Sequence, residues 1–263
     1  MRWLPISADQ YCKKIMRLKI AVVVPLLAPE LAKDWKHVQF CLNRTLTSIL
    51  NSSSVDLQIY VICQSEPEAM ISDRRIIFLK SEHSIPEGAV AMGFDKGLKT
   101  AQGVQAAAQF EPDYVMQIDA DDMISKNLFD CIIDQPGYDA YCVNCGYEWI
   151  EGSKKLTRRY QFHRFCGTSF ILRYGEDLFP AWLGNKGNAK LICETSHTNR
   201  AEVLLAHQYK IYYINEPKVI YVSGGQDQLM DRTKRLRRRV KDTVYGFWRD
   251  KKLSHDLRDE FSM

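Results

Sequence analysis

An α/β fold with a mostly parallel central sheet and flanking helices is predicted by three observations. Short apolar runs of strand length alternate with longer runs of helical periodicity. Gly, Pro, Asn and Ser punctuate the changes. Polar groups gather where two strands end, at Gln64-Ser65 and at Asp119-Ala120-Asp121-Asp122. In open α/β sheets ligands bind beyond the carboxyl ends of the strands.

Each element follows from its own pattern. Met1 to Leu18 reads as an irregular or short helical lead-in. Lys19 to Leu27 (KIAVVVPLL) is a buried-strand run interrupted by Pro25. His37 to Leu50 has helical spacing, with Val38, Leu42, Leu46 and Ile49 on one stripe, and Asn51-Ser52-Ser53-Ser54 stops it. Asp56 to Cys63 (DLQIYVIC) is a second buried strand, and Arg75 to Leu79 a short third. Gly97 to Phe110 is predicted as a helix with Leu98, Ala101, Val104, Gln105 and Ala108 inward. Pro112 ends it, and Asp113 to Ile118 (DYVMQI) is the fourth strand. Later, Arg200 to His207 reads as a helix and Lys210 to Ile214 as a strand. No internal repeat occurs.

The 263 residues, 46% hydrophobic and 26% charged, fit one large domain that buries a sizeable core. No stretch is apolar for the ~18 residues a membrane span needs. The first residues lack the continuous apolar run of a secretory signal, so a cytoplasmic protein is expected. Eight cysteines are scattered through a chain too long to need disulfide staples. Cys142 and Cys145 form the sole C-x-x-C, with no second pair at zinc-knuckle spacing, and read as two core or loop thiols.

Charge is uneven. The chain carries +4, of which residues 228–263 account for +5. Six of the eight residues Arg232 to Arg239 are basic, and Leu229, Leu236, Val240, Val244 and Phe247 make an apolar stripe on a helix. Such a helix packs on its domain with the basic face in water, or lies on the inner face of an anionic membrane as a peripheral contact. Nucleic acid is not an expected partner.

Asp119, Asp121 and Asp122 carry the strongest chemical signal. Asp is a poor strand former, and like charges this close repel. A hard divalent cation, Mn2+ or Mg2+, relieves the repulsion, because carboxylate oxygens are its preferred ligands. A sugar nucleotide brings a pyrophosphate that the same cation would bridge. No G-x-x-x-x-G-K-[ST] occurs, and Gly93, Gly97 and Gly103 do not match G-x-G-x-x-G. P-loop and dinucleotide-binding classes lose support.

The VVVP strand, the helix after it, the IYVICQ strand and the helix leading to DYVMQIDADD resemble the family 2 glycosyltransferases of the GT-A fold. The likeness covers Lys19 to about Asn127 and returns more loosely at Cys166-Gly167-Thr168 and from Glu194 to Val222. It implies a GT-A-type sheet with a basic C-terminal helical tail. The implied organisation is a lead-in (1–18), a catalytic domain (19–227, with a nucleotide-sugar half 19–127 and an acceptor half 128–227) and a basic helical extension (228–263). The implied activity is metal-dependent, inverting transfer of a sugar from a nucleotide diphosphate sugar to a glycan, lipid-linked or other hydroxyl acceptor.

On this resemblance Asp119 and Asp121 hold the metal and Asp119 also contacts the nucleotide. Gln64 stands where an Asp usually meets the base and can hydrogen-bond an amide-like base edge. Asp95, Lys96 and Lys99 fall near the residues that face the nucleotide, with either lysine able to pair with a phosphate at a helix N-terminus. His197 or Glu194 stands near the place of the general base, and His197 alternatively ligates the metal. Arg158-Arg159 and His163-Arg164 read as acceptor contacts or a solvated strand face, and Trp149 and Trp182 as sugar-stacking candidates or core. Two competing functions are a non-catalytic sugar-nucleotide or glycan-binding module and a nucleotidyltransferase. The latter usually carries a Gly- and Arg-rich loop after the first strand, where this chain has Leu26-Leu27-Ala28-Pro29-Glu30.

Overall fold

A computed structural model describes residues 17–68, 70–175, 178, 196–224 and 250–263. The first half alternates as the sequence predicts: β1 (Lys19–Pro25), α1 (Trp35–Leu50), β2 (Asp56–Cys63), β3 (Ile76–Lys80), α2 (Ala89–Ala107) and β4 (Tyr114–Gln117). The second half adds β5 (Met123–Ile124), α3 (Asp130–Asp134), β6 (Ala140–Val143), β7 (Cys145–Ile150), β8 (Lys155–Tyr160) and β9 (Phe170–Arg173). It closes with α4 (Arg200–Ala206), β10 (Ile211–Ile214), β11 (Val219–Ser223), β12 (Asp250–Lys252) and α5 (His255–Phe261).

The main sheet has seven strands in the order β10-β6-β9-β4-β1-β2-β3. Neighbours are parallel except at β9, which runs against both β4 and β6. The fold is therefore the expected α/β one, with a mostly parallel central sheet and helices on both faces. Alternate residues of β1 explain why it reads as one apolar run. Ile20, Val22 and Val24 pack with Leu42, Leu46 and Ile49 of α1, while Ala21 and Val23 pack with Val104 and Ala107 of α2. A strand covered on both faces has no polar side to show.

The phase of α2 differs from expectation. It starts well before Gly97, and of the five residues predicted inward only Val104 is buried. Leu98 is 44% exposed, and Gln105 and Ala108 are also exposed. The inward face is Asp95, Lys99, Thr100, Gly103, Val104 and Ala107. Hydrophobic periodicity assigns charged residues to solvent, and here a paired Lys and Asp occupy the core face. Gly103 permits the contact, because a Cβ there would meet Val23 Cγ1 at 2.4 Å.

A second sheet has the order β12-β8-β7-β11-β5. Met123, Tyr147, Leu156, Ile220 and Val222 form its core with Leu257 and Phe261 of α5. The sequence predicts residues 250–263 within a helical extension. Instead they supply an edge strand, paired antiparallel to β8, and a helix whose Glu260 accepts bonds from Ser125 Oγ at 2.8 Å and, through its carbonyl, from Lys126 N–H at 3.0 Å. The apolar Leu253, Leu257 and Phe261, spaced among charges, drive this docking. The run Arg232 to Arg239 and the rest of the predicted stripe lie outside the described residues. No helix among the described residues is long and apolar enough to cross a membrane.

Candidate active site

The loop after β4 is held by three other parts of the chain. Thr45 Oγ1 on α1 lies within hydrogen-bond reach of the carbonyls of Ala120 (3.0 Å) and Asp122 (2.7 Å). Ser48 Oγ, one turn on, accepts from Ile124 N–H at 3.2 Å. The reversed strand β9 brings its preceding residues, Cys166 to Thr168, to the carboxyl end of β4. There Thr168 Oγ1 accepts from Asp119 N–H at 2.9 Å and donates to Asp122 Oδ2 at 2.6 Å. Cys166 Sγ (3.1 Å) and Val222 N–H (3.3 Å) complete the shell of donors around Asp122.

Asp122 is thus a fully buried strut, not a ligand-facing group. Burial, and then the charges of Asp121 and Asp119, push its pKa well above the usual carboxylate value. Asp119 and Asp121 instead line a cavity of about 460 Å3. The Asp119 carboxylate meets Lys96 Nζ at 2.6 Å and accepts from Gln117 Nε2 at 3.2 Å. Burial alone would raise the Asp119 pKa, but Lys96 outweighs it and the group is held below the ordinary value. Burial opposes the charge on Lys96 in turn, and Asp119 more than restores it, so its pKa is raised.

The structure separates the two lysines named from sequence. Lys96 reaches Asp119, whereas Lys99 is 1% exposed, pairs with Asp95 at 2.7 Å and donates to the carbonyl of Leu26 at 2.6 Å. Burial lowers the Lys99 pKa despite its partner. Neither lysine sits at a helix N-terminus, because α2 begins at Ala89; that part of the expectation is corrected. Gln64 donates to Asp95 Oδ1 at 3.3 Å, and its buried Oε1 has no partner among the described residues.

His197, just before α4, lines the same cavity. Burial first, and then the nearby Lys96 ammonium, lower its pKa to about 4. Glu194 and Trp182 lie outside the described residues. The other candidates are placed elsewhere: Arg159 donates to Glu148 at 2.8 Å, Arg158 to Cys145 Sγ at 3.0 Å, and Arg164 pairs with Glu202. His163 is buried between Phe170 and Tyr213. Trp149 donates to the Ser153 carbonyl at 2.9 Å and carries the Arg44 guanidinium on its face. Cys142 and Cys145 are both buried.

Sequence reasoning does not find His37, Cys41, Glu151, Phe165 or Tyr221, which also line the cavity. His37 and Cys41 carry a legible signal, four apart on one helix face. Glu151 carries none, because its place depends on how the second sheet docks.

Asp119 and Asp121 offer the hard oxygen ligands that manganese and magnesium take, and His197 lines the same cavity. Gly167 keeps the face of Asp119 open, since a Cβ there would stand 3.2 Å from Asp119 Oδ2 and 3.3 Å from Lys96 Nζ.

No protein-family profile matches the chain, and no curated protein matches its sequence. Solved structures do. A bifunctional IspDF from Campylobacter jejuni aligns at 12% identity and a TM-score of 0.42, over 76% of this chain and 50% of that one. The chain thus spans about half the length of that protein. A 4-diphosphocytidyl-2C-methyl-D-erythritol synthase from Anaerococcus prevotii aligns at 12% identity and a TM-score of 0.48, over 84% and 96%. TarS of S. aureus, residues 1–349, aligns at 12% identity and a TM-score of 0.42, over 78% and 60%.

Proposed function

We propose that this chain is a metal-dependent glycosyltransferase that moves a sugar from a nucleotide diphosphate sugar to a hydroxyl acceptor. One observation carries the reading. Asp119, Asp121, Lys96 and His197 converge on one cavity at the carboxyl edge of a mostly parallel sheet. Two carboxylates, a cation and a neutral imidazole there suit a diphosphate held together with a divalent metal.

In this reading Asp119 and Asp121, with His197 as a neutral nitrogen, hold Mn2+ or Mg2+. The bound cation supplies positive charge to the departing diphosphate. Lys96, kept charged by Asp119, contacts a phosphate oxygen. The acceptor oxygen attacks the anomeric carbon, the bond from that carbon to the phosphate oxygen breaks, and the diphosphate leaves with the electron pair. The acceptor proton passes to a base. Glu194 takes that proton in this reading, because His197 serves as the ligand. Inversion at the anomeric carbon rests on the family resemblance alone.

Nucleotidyl transfer is the second reading, since the same charges would hold a nucleoside triphosphate. Against it, the residues after β1 that line the cavity are Leu26, Leu27 and Leu31, not glycines and arginines. Calorimetry with manganese and a panel of nucleotide sugars tests the first reading. Asp121→Ala is expected to abolish metal-dependent donor binding and keep the fold; unchanged affinity removes the metal assignment. Pyrophosphate release from a nucleoside triphosphate and a sugar phosphate, without sugar transfer, establishes the second reading instead.

A further inference from the structure

A second group of ligating side chains lies on the wall of the same cavity, near enough to Asp121 for its charge to act on Cys41. His37 and Cys41 occupy successive turns of α1, with His37 N–H bonded to the N-cap Asp34 carboxylate at 3.1 Å. Glu151 follows β7, its backbone N–H held by the Ser223 carbonyl at 2.9 Å. One ligating atom from each of the three lies within 4.8 Å of the others. His37 Nε2 stands 3.1 Å from Glu151 Oε2 and 3.5 Å from Cys41 Sγ.

We infer that His37, Cys41 and Glu151 form a binding site for a borderline-soft divalent cation of the zinc class. The N–S distance equals the edge of such a centre, and the N–O distance lies about 0.3 Å inside it. A tetrahedron with bonds of about 2.3 Å to sulfur and 2.0–2.1 Å to nitrogen and oxygen has N–S and N–O edges of about 3.5 and 3.4 Å. Hydrogen bonding accounts for the arrangement less well. An imidazole nitrogen has one in-plane lobe, either a proton or a lone pair. Nε2 faces a carboxylate oxygen and a thiol together, and that lobe serves only one of them well. A cation between the three satisfies all of them, with the thiol proton released to solvent on binding.

Arg44 supplies the outer shell. Its Nη1 donates to the other carboxylate oxygen of Glu151 at 2.7 Å, and its Nη2 approaches Cys41 Sγ at 3.6 Å. It thereby orients the carboxylate and leaves Oε2 directed at His37. Three ligands leave a fourth position toward the cavity, as in zinc sites that exchange water for an oxygen ligand. The donor set differs from that of Asp119 and Asp121. Nitrogen and sulfur favour zinc or cobalt, and paired carboxylates favour manganese or magnesium.

The test is titration of the metal-stripped full chain with cobalt(II), followed by zinc. A thiolate-to-cobalt charge-transfer band is expected, abolished by zinc and absent in Cys41→Ser. It should persist in Asp119→Asn. His37→Gln and Glu151→Gln should each weaken zinc binding by more than the ~10–100-fold that loss of an outer-shell partner costs, and Arg44→Gln by about that amount. Absence of the band, its survival in Cys41→Ser, or unchanged zinc affinity in both His37→Gln and Glu151→Gln overturns the site. The last pair keeps the thiol, so the test holds even where Cys41→Ser folds poorly.

Discussion

Lys96 and Lys99 stand one turn apart on α2, each on an aspartate at 2.6 or 2.7 Å, yet their surroundings are opposite. Lys96 keeps 35% of its side chain accessible and reaches a carboxylate on the cavity floor. Lys99 keeps 1% and is closed in by Asp95 and the Leu26 carbonyl. The first cation keeps a raised pKa; the second is lowered by burial. Both pairs line the cavity, but only the first keeps an accessible side chain, whereas the buried pair also holds α2 to the Leu26 carbonyl at the end of β1. Two lysines equivalent in sequence thus divide into one open to the cavity and one closed in by its partners.

The largest effect expected is on stability. Lys99→Met leaves the Asp95 carboxylate buried without its cation, and breaking such a pair costs about 3–5 kcal/mol. Urea denaturation should show that loss, while Lys96→Met stays within about 1 kcal/mol of the parent. Equal losses in the two variants would erase the distinction.

Next comes binding. Lys96→Met removes a charge-assisted contact to phosphate, worth about 1.5–3 kcal/mol, so donor affinity should fall roughly ten- to hundred-fold. A folded Lys99 variant should show a smaller change. Calorimetry with the donor that the panel selects gives both values.

The acidic loop extends the same comparison. Asp122 accepts from Thr168, Cys166 and Val222 in a fully buried shell, while Asp119 and Asp121 face the cavity. Asp122→Ala orphans those donors at about 1–3 kcal/mol for a buried unsatisfied group. A lowered urea midpoint with donor affinity retained per folded molecule is the expected result. A stable variant that has lost the donor would move Asp122 into the ligand site.

Much of the first half is legible in the sequence for a simple reason. β1 and β2 are covered on both faces and α1 on one, so burial writes itself as apolar runs and stripes. α2 defeats that logic, because its core face carries Asp95, Lys99 and Gly103. The composition of the acidic cluster points to the cavity, and the family resemblance, not the composition, singles out Asp119 and Asp121 over Asp122. In the fold that choice depends on Cys166 and Thr168, delivered from far along the chain by the reversed strand β9. The docking of α5 is missed because basic residues dominate the tail's composition. The three apolar residues that seat it are few but well spaced.

The smallest effect concerns His197, and its sign follows from the lowered pKa. In the metal-free chain the folded-state value is about 4, against the ordinary 6.5. Burial and the neighbouring Lys96 disfavour the imidazolium in the folded state, while the unfolded chain protonates at its usual pH. The folded state therefore binds fewer protons between about pH 4 and 6.5. The stability tied to the neutral ring is complete above 6.5 and is lost as pH falls through about 4. Solvent screening at a partly exposed ring keeps the change near ~1 kcal/mol. The stability difference between the parent and His197→Gln, which has no titrating ring, should shrink by that amount from pH 7 to pH 4. Proton NMR of the ring should show a neutral imidazole at pH 5.5. A ring that titrates near 6.5 would show that neither burial nor the Lys96 ammonium acts on His197 in the folded chain.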